Sequence, residues 1–326
     1  MATIRDVAKQ AGVSVATVSR VLNNNGYVNA KTREKVMKTI DELEYRPNAV
    51  ARSLYKKKSK MIGVIVPDIT NPFFPELARA IEDVTNKADY TFILCNSDED
   101  VEKEKQYIEV LRQKYVDGFI IVTSTLKTEH IKGLDVPIVA LDRPISPNMP
   151  TVTVNNYDGA REAVQHLKRI GCEKIAHIRG PHNVINADER CRGYVDEVQD
   201  EPWFYSGLIA EGNYHLKDTM ELAKSLLQRE PDIDGIFAGN DVMATAVLKA
   251  AEELGKRVPQ DLNVIGFDGI SLCEVTSPSL TTMEQPIYEI GSKAANMLLN
   301  LIEERELDQD KCEFKVKLIK RQSTKA

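Results

Sequence analysis

The feature that most constrains the fold is an alternation of short apolar runs and helical patterns, which begins near residue 61 and continues through most of the chain. The clearest apolar runs read MIGVIV, YTFILC, GFIIVT, PIVALD, KIAHIR, DGIFAG and LNVIGFD, and helical patterns such as 158–170, 217–229 and 241–254 lie between them. This alternation predicts mostly parallel sheets with helices on both faces. Because roughly 265 residues are too many for one such sheet, we expect an α/β body of two similar lobes.

The first 60 residues have a different composition from the rest of the chain. They contain 13 Lys and Arg residues against 5 Asp and Glu, whereas the remaining residues contain 30 against 44. A basic segment attached to an acidic body is typical of a small module that binds a polyanion, although charge alone would fit a solvated surface equally well.

Two short helices and a third longer one are predicted in this basic segment. In TIRDVAKQAGVSVATVSRVLN the first helix ends at Gly12, and Ser14 is suited to cap the second helix. Val18, Val21 and Leu22 form the apolar side of the second helix, and AKTREKVMKTIDELEY predicts the third. The pattern predicts a helix-turn-helix of three helices.

The second helix of such a unit enters the major groove of DNA. There Arg20 could donate two hydrogen bonds to a guanine, and Val15 and Ala16 could contact thymine methyl groups. Ser14, Thr17, Ser19 and Tyr45 are better placed for contacts with phosphates, and Asn23 is a further outward-facing candidate for DNA contact. A three-helix bundle that binds another protein is the alternative, and the basic charge of the segment argues against it.

The segment RPNAVARSLYKKK, residues 46–58, predicts a helix of about two turns introduced by Pro47. A helix this short is marginal by itself in water, and it would expose Leu54. Its folding therefore requires a partner.

The segments TIRDVAKQAGVSVATVSRVLN and RPNAVARSL resemble the N-terminus of the LacI/GalR family of bacterial transcription repressors, and the resemblance extends over essentially the whole chain. It implies a hinge helix that folds in the minor groove of the operator, where Leu54 would insert between base steps and Ala51 would allow close approach. A plain linker helix is the alternative. The implied domains are a helix-turn-helix domain at 1–46, a hinge helix and linker at 47–58, and a sugar-binding and dimerisation domain at 59–326, whose lobes are roughly 59–157 with 288–316 and 158–287 with 317–326.

Polar and aromatic residues follow several predicted strands, where ligands bind in sheets of this kind. Carboxylates, amides, guanidinium groups and aromatic rings together suit a polyhydroxylated ligand. The body resembles the two-lobed periplasmic sugar-binding proteins, and especially the ribose binders. That resemblance implies a ligand set of Asn71, Phe73, Phe74, Asp142, Arg143, Arg190, Asn240, Phe267, Asp268 and Gln285. We expect the adjacent Asp241 to be only a helix cap.

The resemblance implies a repressor of a ribose uptake or utilisation operon, which leaves a pseudo-palindromic operator when ribose binds between the lobes. A family member that responds to a purine or to a phosphoprotein corepressor is an open alternative. A riboside-cleaving enzyme is a more distant one, because Asp142 and Asp268 could form an acid and base pair. We expect no enzymatic activity, since the sequence has no Walker loop, G-x-S-x-G or H-E-x-x-H motif.

The remaining expectations concern cofactors, compartment and assembly. The five cysteines are scattered without paired metal spacing, so we expect reduced thiols and no metal or other cofactor. There is no signal-peptide pattern and no apolar run of membrane-spanning length. We therefore expect a cytoplasmic protein. Because no leucine-heptad tail follows the body, we expect it to form a homodimer.

Overall fold

The computed structural model describes residues 2–46, 58–123, 125–182 and 184–325. The chain divides into two compact units between Ser59 and Lys60. Of the predicted hinge helix and linker at 47–58, residues 47–57, which include Ala51 and Leu54, lie outside the described residues. No helix in the described ranges is both long and apolar enough to span a membrane.

The first unit contains three helices: α1 Ile4–Ala11, α2 Val15–Asn23 and α3 Ala30–Glu42. Helix α1 begins with a capping box in which Thr3 and Asp6 each accept a hydrogen bond from the other's backbone N–H. It ends at Gly12, whose φ of 61° lies in the left-handed region that glycine adopts without strain. Ser14 then caps α2 by accepting from the Thr17 N–H at 3.1 Å.

The three helices enclose a small apolar core. Val18 and Val21 of α2 are buried in it together with side chains from both other helices, whereas Leu22 is only half-buried at its edge. Each helix therefore buries one apolar face. The predicted three-helix head is confirmed.

The second unit contains two six-stranded sheets. In the described part of the chain its strands are β1 Met61–Val66, β2 Thr91–Asn96, β3 Gly118–Ile121, β4 Ile138–Leu141, β5 Thr151–Val154, β6 Ile175–Arg179, β7 Ile209–Glu211, β8 Gly235–Ala238, β9 Asn263–Asp268, β10 Thr281–Glu284, β11 Lys311–Phe314 and β12 Lys317–Ile319. The strand order is β11-β5-β4-β3-β1-β2 in the first sheet and β12-β10-β9-β8-β6-β7 in the second. All neighbouring strands are parallel except β12, which is antiparallel to β10.

Helices cover the sheets on both faces. Those described are α4 Phe73–Lys87, α5 Val101–Gln113, α6 Thr128–Ile131, α7 Asn156–Arg169, α8 Ile185–Val198, α9 Leu216–Arg229, α10 Asp241–Glu253, α11 Leu272–Val275 and α12 Ile287–Ile302, with one 3-10 turn at Ser206–Leu208. Successive side chains of β1 illustrate the arrangement, because Val64 packs in the core that contains α4 and α12, whereas Ile65 packs against α5. The predicted two-lobed α/β architecture is confirmed.

The chain passes between the two sheets three times: between β5 and β6, between β10 and β11, and between β11 and β12. All seven strands predicted from the sequence are present, whereas the short strands β5, β7, β10, β11 and β12 were not predicted. The carboxyl ends of the parallel strands of both sheets border one cavity, which is the candidate ligand site.

Candidate effector cavity and DNA-binding surface

The cavity between the two lobes has a volume of about 330 Å³. Nine of the ten residues predicted to bind a ligand line it: Asn71, Phe73, Phe74, Asp142, Arg143, Arg190, Asn240, Asp268 and Gln285. Phe267 is not among the described lining residues, because its ring is fully buried beneath the guanidinium of Arg190, 3.7 Å from the ring centroid. Phe267 therefore supports a lining residue and does not face the cavity itself.

The aromatic side of the cavity is formed at the start of α4. The Asn71 side chain accepts from the Phe73 N–H at 3.1 Å, which holds the turn that leads into the helix. The rings of Phe73 and Phe74 pack edge to face with their centroids 5.1 Å apart, and both are buried. They form a rigid apolar wall that suits the C–H surface of a sugar.

A buried carboxylate and guanidinium follow β4. Asp142 has a φ of 65°, a left-handed backbone conformation that is unusual for a residue with a side chain. Its carboxylate lies 3.3 Å from Nε of Arg143, whose other side donates to Glu99 at 2.9 Å. From the opposite lobe, Asn186 donates to Asp142 at 2.9 Å. The Arg143 guanidinium is therefore held between two carboxylates at the edge of the cavity.

Arg190 is fixed by contacts on several sides. Its Nε donates to the Asn156 side chain at 2.9 Å, and its terminal nitrogen donates to the Gly239 carbonyl at 2.6 Å and lies 3.5 Å from the Asp268 carboxylate. With Phe267 beneath it, the guanidinium has one defined position. Such preorganisation lowers the entropic cost of binding a ligand.

Asp268 and Gln285 complete this polar wall. Burial raises the pKa of Asp268 well above its ordinary value, and the Arg190 guanidinium opposes that rise. Gln285 donates to Asp268 at 2.8 Å, while its own side-chain oxygen is buried and has no hydrogen-bond partner among the described residues. A buried acceptor without a donor is costly, so this oxygen is suited to accept a hydrogen bond from a ligand hydroxyl.

Asp241 has a larger role than the sequence suggested. The cap of α10 is Asn240, which accepts from the Met243 N–H at 2.9 Å, and Asp241 is the first residue of the helix. Asp241 is fully buried and accepts from the backbone N–H groups of Gly269 at 2.6 Å and Ile270 at 3.0 Å. Burial raises its pKa to about 6. The expectation that it only caps a helix was wrong, because it anchors the loop that follows Asp268.

The structure adds cavity residues that the sequence did not reveal. Asn186, Glu99 and Tyr214 all line the cavity. Burial raises the pKa of the Tyr214 hydroxyl to about 12, and a side chain at Gly180 would collide with its ring. Tyr214 follows β7, a strand too short to be recognised from its pattern, and Glu99 lies in a loop. No local sequence signal distinguishes these residues.

The candidate DNA-binding surface lies on α2. Val15, Ala16, Arg20 and Asn23 are exposed, as a recognition helix requires. The Asn23 amide donates to the Ser19 carbonyl within the helix at 2.8 Å.

The polar residues around α2 that were predicted to contact phosphates are partly engaged within the head itself. Ser14 is engaged as the cap, Thr17 and Ser19 are half-buried, and Tyr45 packs against the core of the head. Tyr27, which follows α2 and was not predicted to contact DNA, is 90% exposed.

Comparisons with known protein families decide the identity of both units. Residues 3–48 match the model described as bacterial regulatory proteins of the lacI family, and residues 59–322 match that of periplasmic binding proteins and the sugar-binding domain of the LacI family. The chain belongs to the LacI family. As a member of this family it is a DNA-binding transcriptional repressor that responds to a sugar.

Individual LacI-family proteins match over most or all of the chain. The ribose operon repressor of Halalkalibacterium halodurans is 49% identical over 325 residues, which is 100% of this chain and 98% of that protein. The structure of the lac repressor dimer bound to operator and the anti-inducer ONPF matches with a TM-score of 0.88 and 28% identity, covering 100% of this chain and 99% of that one. A LacI-family regulator from Enterococcus faecium with bound ribose has a TM-score of 0.73 and 33% identity, covering 81% of this chain and 98% of that one. These relatives are regulators and not enzymes.

Proposed function

We propose that this LacI-family repressor controls an operon for ribose uptake or utilisation, and that ribose bound between the lobes releases it from the operator. The observation that carries the proposal is the composition of the cavity wall. Asp142, Asp268 and the unpartnered oxygen of Gln285 supply acceptors, and Arg143 and Arg190 supply donors, all from buried side chains. A small polyol needs both kinds of group at once.

The cavity and the relatives support ribose in particular. A volume of about 330 Å³ is at the lower end of the range for small-molecule sites, as a monosaccharide requires. The H. halodurans relative carries the name ribose operon repressor, and the E. faecium relative was solved with ribose bound. The proposed ligand set is the nine predicted residues of the cavity wall, with Phe267 as a support for Arg190.

The proposal extends to DNA recognition. Arg20 reads a guanine in the major groove, and Val15 and Ala16 contact thymine methyl groups. Two copies of the chain form a cytoplasmic homodimer that binds a pseudo-palindromic operator. Ser14, Thr17, Ser19 and Tyr45 contact phosphates, Asn23 contacts DNA from the outer face of the second helix, and Ala51 and Leu54 act in the minor groove.

We assign one function to each of the domains predicted from the sequence. Residues 1–46 bind DNA, and residues 59–326 bind sugar and dimerise. Residues 47–58 form the hinge helix and linker between these two domains. We assign no enzymatic activity to the body, because the relatives that match the chain are regulators and the carboxylates of Asp142 and Asp268 are held in ion pairs with Arg143 and Arg190.

Calorimetry of the full-length protein tests the proposal, with ribose, xylose, arabinose and adenine as ligands in the presence and absence of operator DNA. We expect heat with ribose, and a lower ribose affinity when the operator is saturating. Linkage requires that ribose weaken operator binding by the same factor. Heat with adenine but not with ribose would exclude ribose as the effector. Tighter ribose binding on the operator would make ribose a corepressor.

A further inference from the structure

We propose that the cavity accepts the free sugar and rejects its phosphate ester, and that Glu99 is the residue on which this discrimination depends. The inference rests on the proposed response to ribose and specifies the chemical form of the effector. It follows from the charges at the cavity wall and from the groups that those charges already engage.

Carboxylates outnumber cations around the cavity. Among the described lining residues, the guanidinium groups belong to Arg143 and Arg190, and the carboxyl groups belong to Asp68, Asp98, Glu99, Asp142 and Asp268. Of these, Asp98 is paired with Lys103 and Asp268 has a raised pKa, so Asp68, Glu99 and Asp142 contribute most of the negative charge. A phosphate monoester carries nearly two negative charges at neutral pH. Like charges placed together in a binding site cost several kcal/mol. The wall therefore opposes a phosphorylated ligand.

Both guanidinium groups are already paired with carboxylates. Arg143 lies 2.9 Å from Glu99 and 3.3 Å from Asp142, and Arg190 lies 3.5 Å from Asp268. A phosphate would have to compete with these carboxylates for the arginine charges and would be repelled by them. A neutral sugar hydroxyl does not need to compete with them, because it can accept from a remaining N–H or donate to a carboxylate oxygen.

Backbone groups at three helix beginnings are engaged as well. Such N–H groups are the other common element for holding a phosphate. At the cavity, the side chains of Asn71, Asn186 and Asn240 accept from the backbone N–H groups of Phe73 at 3.1 Å, of Ala187 at 3.0 Å and of Met243 at 2.9 Å, respectively. Neutral amides therefore occupy positions where a phosphate oxygen would otherwise bind.

Glu99 is the key residue because of its position at Arg143. The Arg143 side chain is only 4% exposed, and so is that of its other partner, Asp142. Glu99 also lines the cavity and is 32% exposed, so it is the more accessible of the two carboxylates that contact Arg143. If Glu99 loses its charge, Asp142 is the one carboxylate left beside Arg143 among the described residues and the negative charge of the wall falls, which favours binding of a phosphate.

This discrimination places the signal in a reaction sequence. The repressor responds to the free sugar and does not respond to the phosphate ester that forms from it. A phosphoryl-transfer reaction that consumes the free sugar therefore ends the signal, even while the phosphate ester accumulates.

The test uses the full-length parent protein and calorimetry with ribose, ribose 5-phosphate and 5-O-methylribose. The methyl ether adds bulk at the same position without adding charge. We expect the parent to bind ribose at least about 100-fold more tightly than ribose 5-phosphate, and to bind the methyl ether much closer to ribose than to the phosphate.

The decisive variant is Glu99→Gln, with Glu102→Gln as its matched control. Glu102 lies three residues further along the chain, pairs with Lys105, is 77% exposed and is not among the described lining residues. Glu99→Gln should lower the ratio of the two dissociation constants, phosphate over free sugar, by about tenfold or more. Glu102→Gln should leave that ratio at the parent value.

Three results would overturn the inference: equal affinity of the parent for ribose and its phosphate, a methyl ether that binds as weakly as the phosphate, or a Glu99→Gln ratio equal to that of the parent. The second would mean that exclusion depends on the bulk or the ring form imposed by a substituent on O5 and not on its charge. It needs no variant, so the inference can be refuted even if Glu99→Gln does not fold. No binding of ribose by the parent would instead refute the proposed function, and this inference with it.

Discussion

Replacing Asp268 with alanine tests the proposed sugar site most directly. In the parent, the Asp268 carboxylate accepts from Gln285 at 2.8 Å and lies 3.5 Å from Arg190, and all three side chains are buried. Asp268→Ala removes a direct acceptor for the sugar and also leaves the Arg190 guanidinium buried without its carboxylate. Both effects reduce ribose binding.

The magnitude follows from these contacts. Loss of one buried hydrogen-bonding partner costs about 1 to 3 kcal/mol, so ribose affinity should fall by about 5- to 150-fold. Removal of one member of a buried ion pair lowers the free energy of unfolding by about 3 to 5 kcal/mol. The two losses are measured separately, by calorimetry with ribose and by denaturant unfolding.

Two further variants serve as controls for the ribose affinity of Asp268→Ala. Asp268→Asn is the conservative replacement, and Asp261→Ala removes a carboxylate elsewhere in the same lobe. The asparagine keeps the size of the side chain and an oxygen that can accept from Gln285, so its ribose affinity should lie between those of the parent and Asp268→Ala. Asp261 pairs with Arg257 on the surface of the same lobe, outside the described cavity lining, so Asp261→Ala should bind ribose like the parent. If Asp268→Ala retains the parent's ribose affinity, the proposed site is incorrect.

Three further predictions concern pH, DNA and the inter-lobe connection. Burial lowers the pKa of His177 to about 3, so the folded protein keeps this imidazole neutral while the unfolded chain takes up a proton below about pH 6.5. Between about pH 7.5 and about pH 5 the parent should therefore lose about 2 kcal/mol more unfolding free energy than His177→Asn, and identical pH profiles would contradict this. Arg20→Ala should lose about 1 to 3 kcal/mol of operator affinity and relax preference at one base pair per half-site, whereas equal losses on operator and random DNA in binding titrations would exclude direct readout. Asn156→Ala removes the acceptor that positions Arg190 and should weaken ribose binding by about 3- to 30-fold; unchanged calorimetric affinity would show that Arg190 needs no such support.

Much of this protein was determined by local sequence patterns. Apolar runs such as MIGVIV and LNVIGFD specify buried strands, because a strand covered on both faces must be apolar along its length. Gly12 and Ser14 specify the turn of the head, since each satisfies a local backbone requirement. Residues that directly follow long strands, such as Asp142 and Asp268, could be assigned to the cavity because the carboxyl ends of parallel strands share one edge.

Short strands that contain polar residues could not be recognised in the same way, although the equally short apolar strands β3, β4 and β8 were predicted. The strands β5, β7 and β10 are too short for a period to be distinguished from chance, and they form because neighbouring strands offer them hydrogen bonds. Tyr214, which follows β7, was missed together with its strand, whereas Gln285, which follows β10, was assigned through the resemblance to the ribose binders.

Only the tertiary structure decided which distant side chains meet. Glu99 reaches Arg143 across 44 positions of sequence, and Asn186 reaches Asp142 from the other lobe across the same separation. Asp241 looked like a helix cap, but it holds a loop 28 residues away. Secondary structure depends on neighbours along the chain, whereas the charge balance of the cavity depends on strand order and on the approach of two lobes. The sequence therefore determined that a polar cavity would form at these strand ends, and the fold determined which of its charges remain free to meet a ligand.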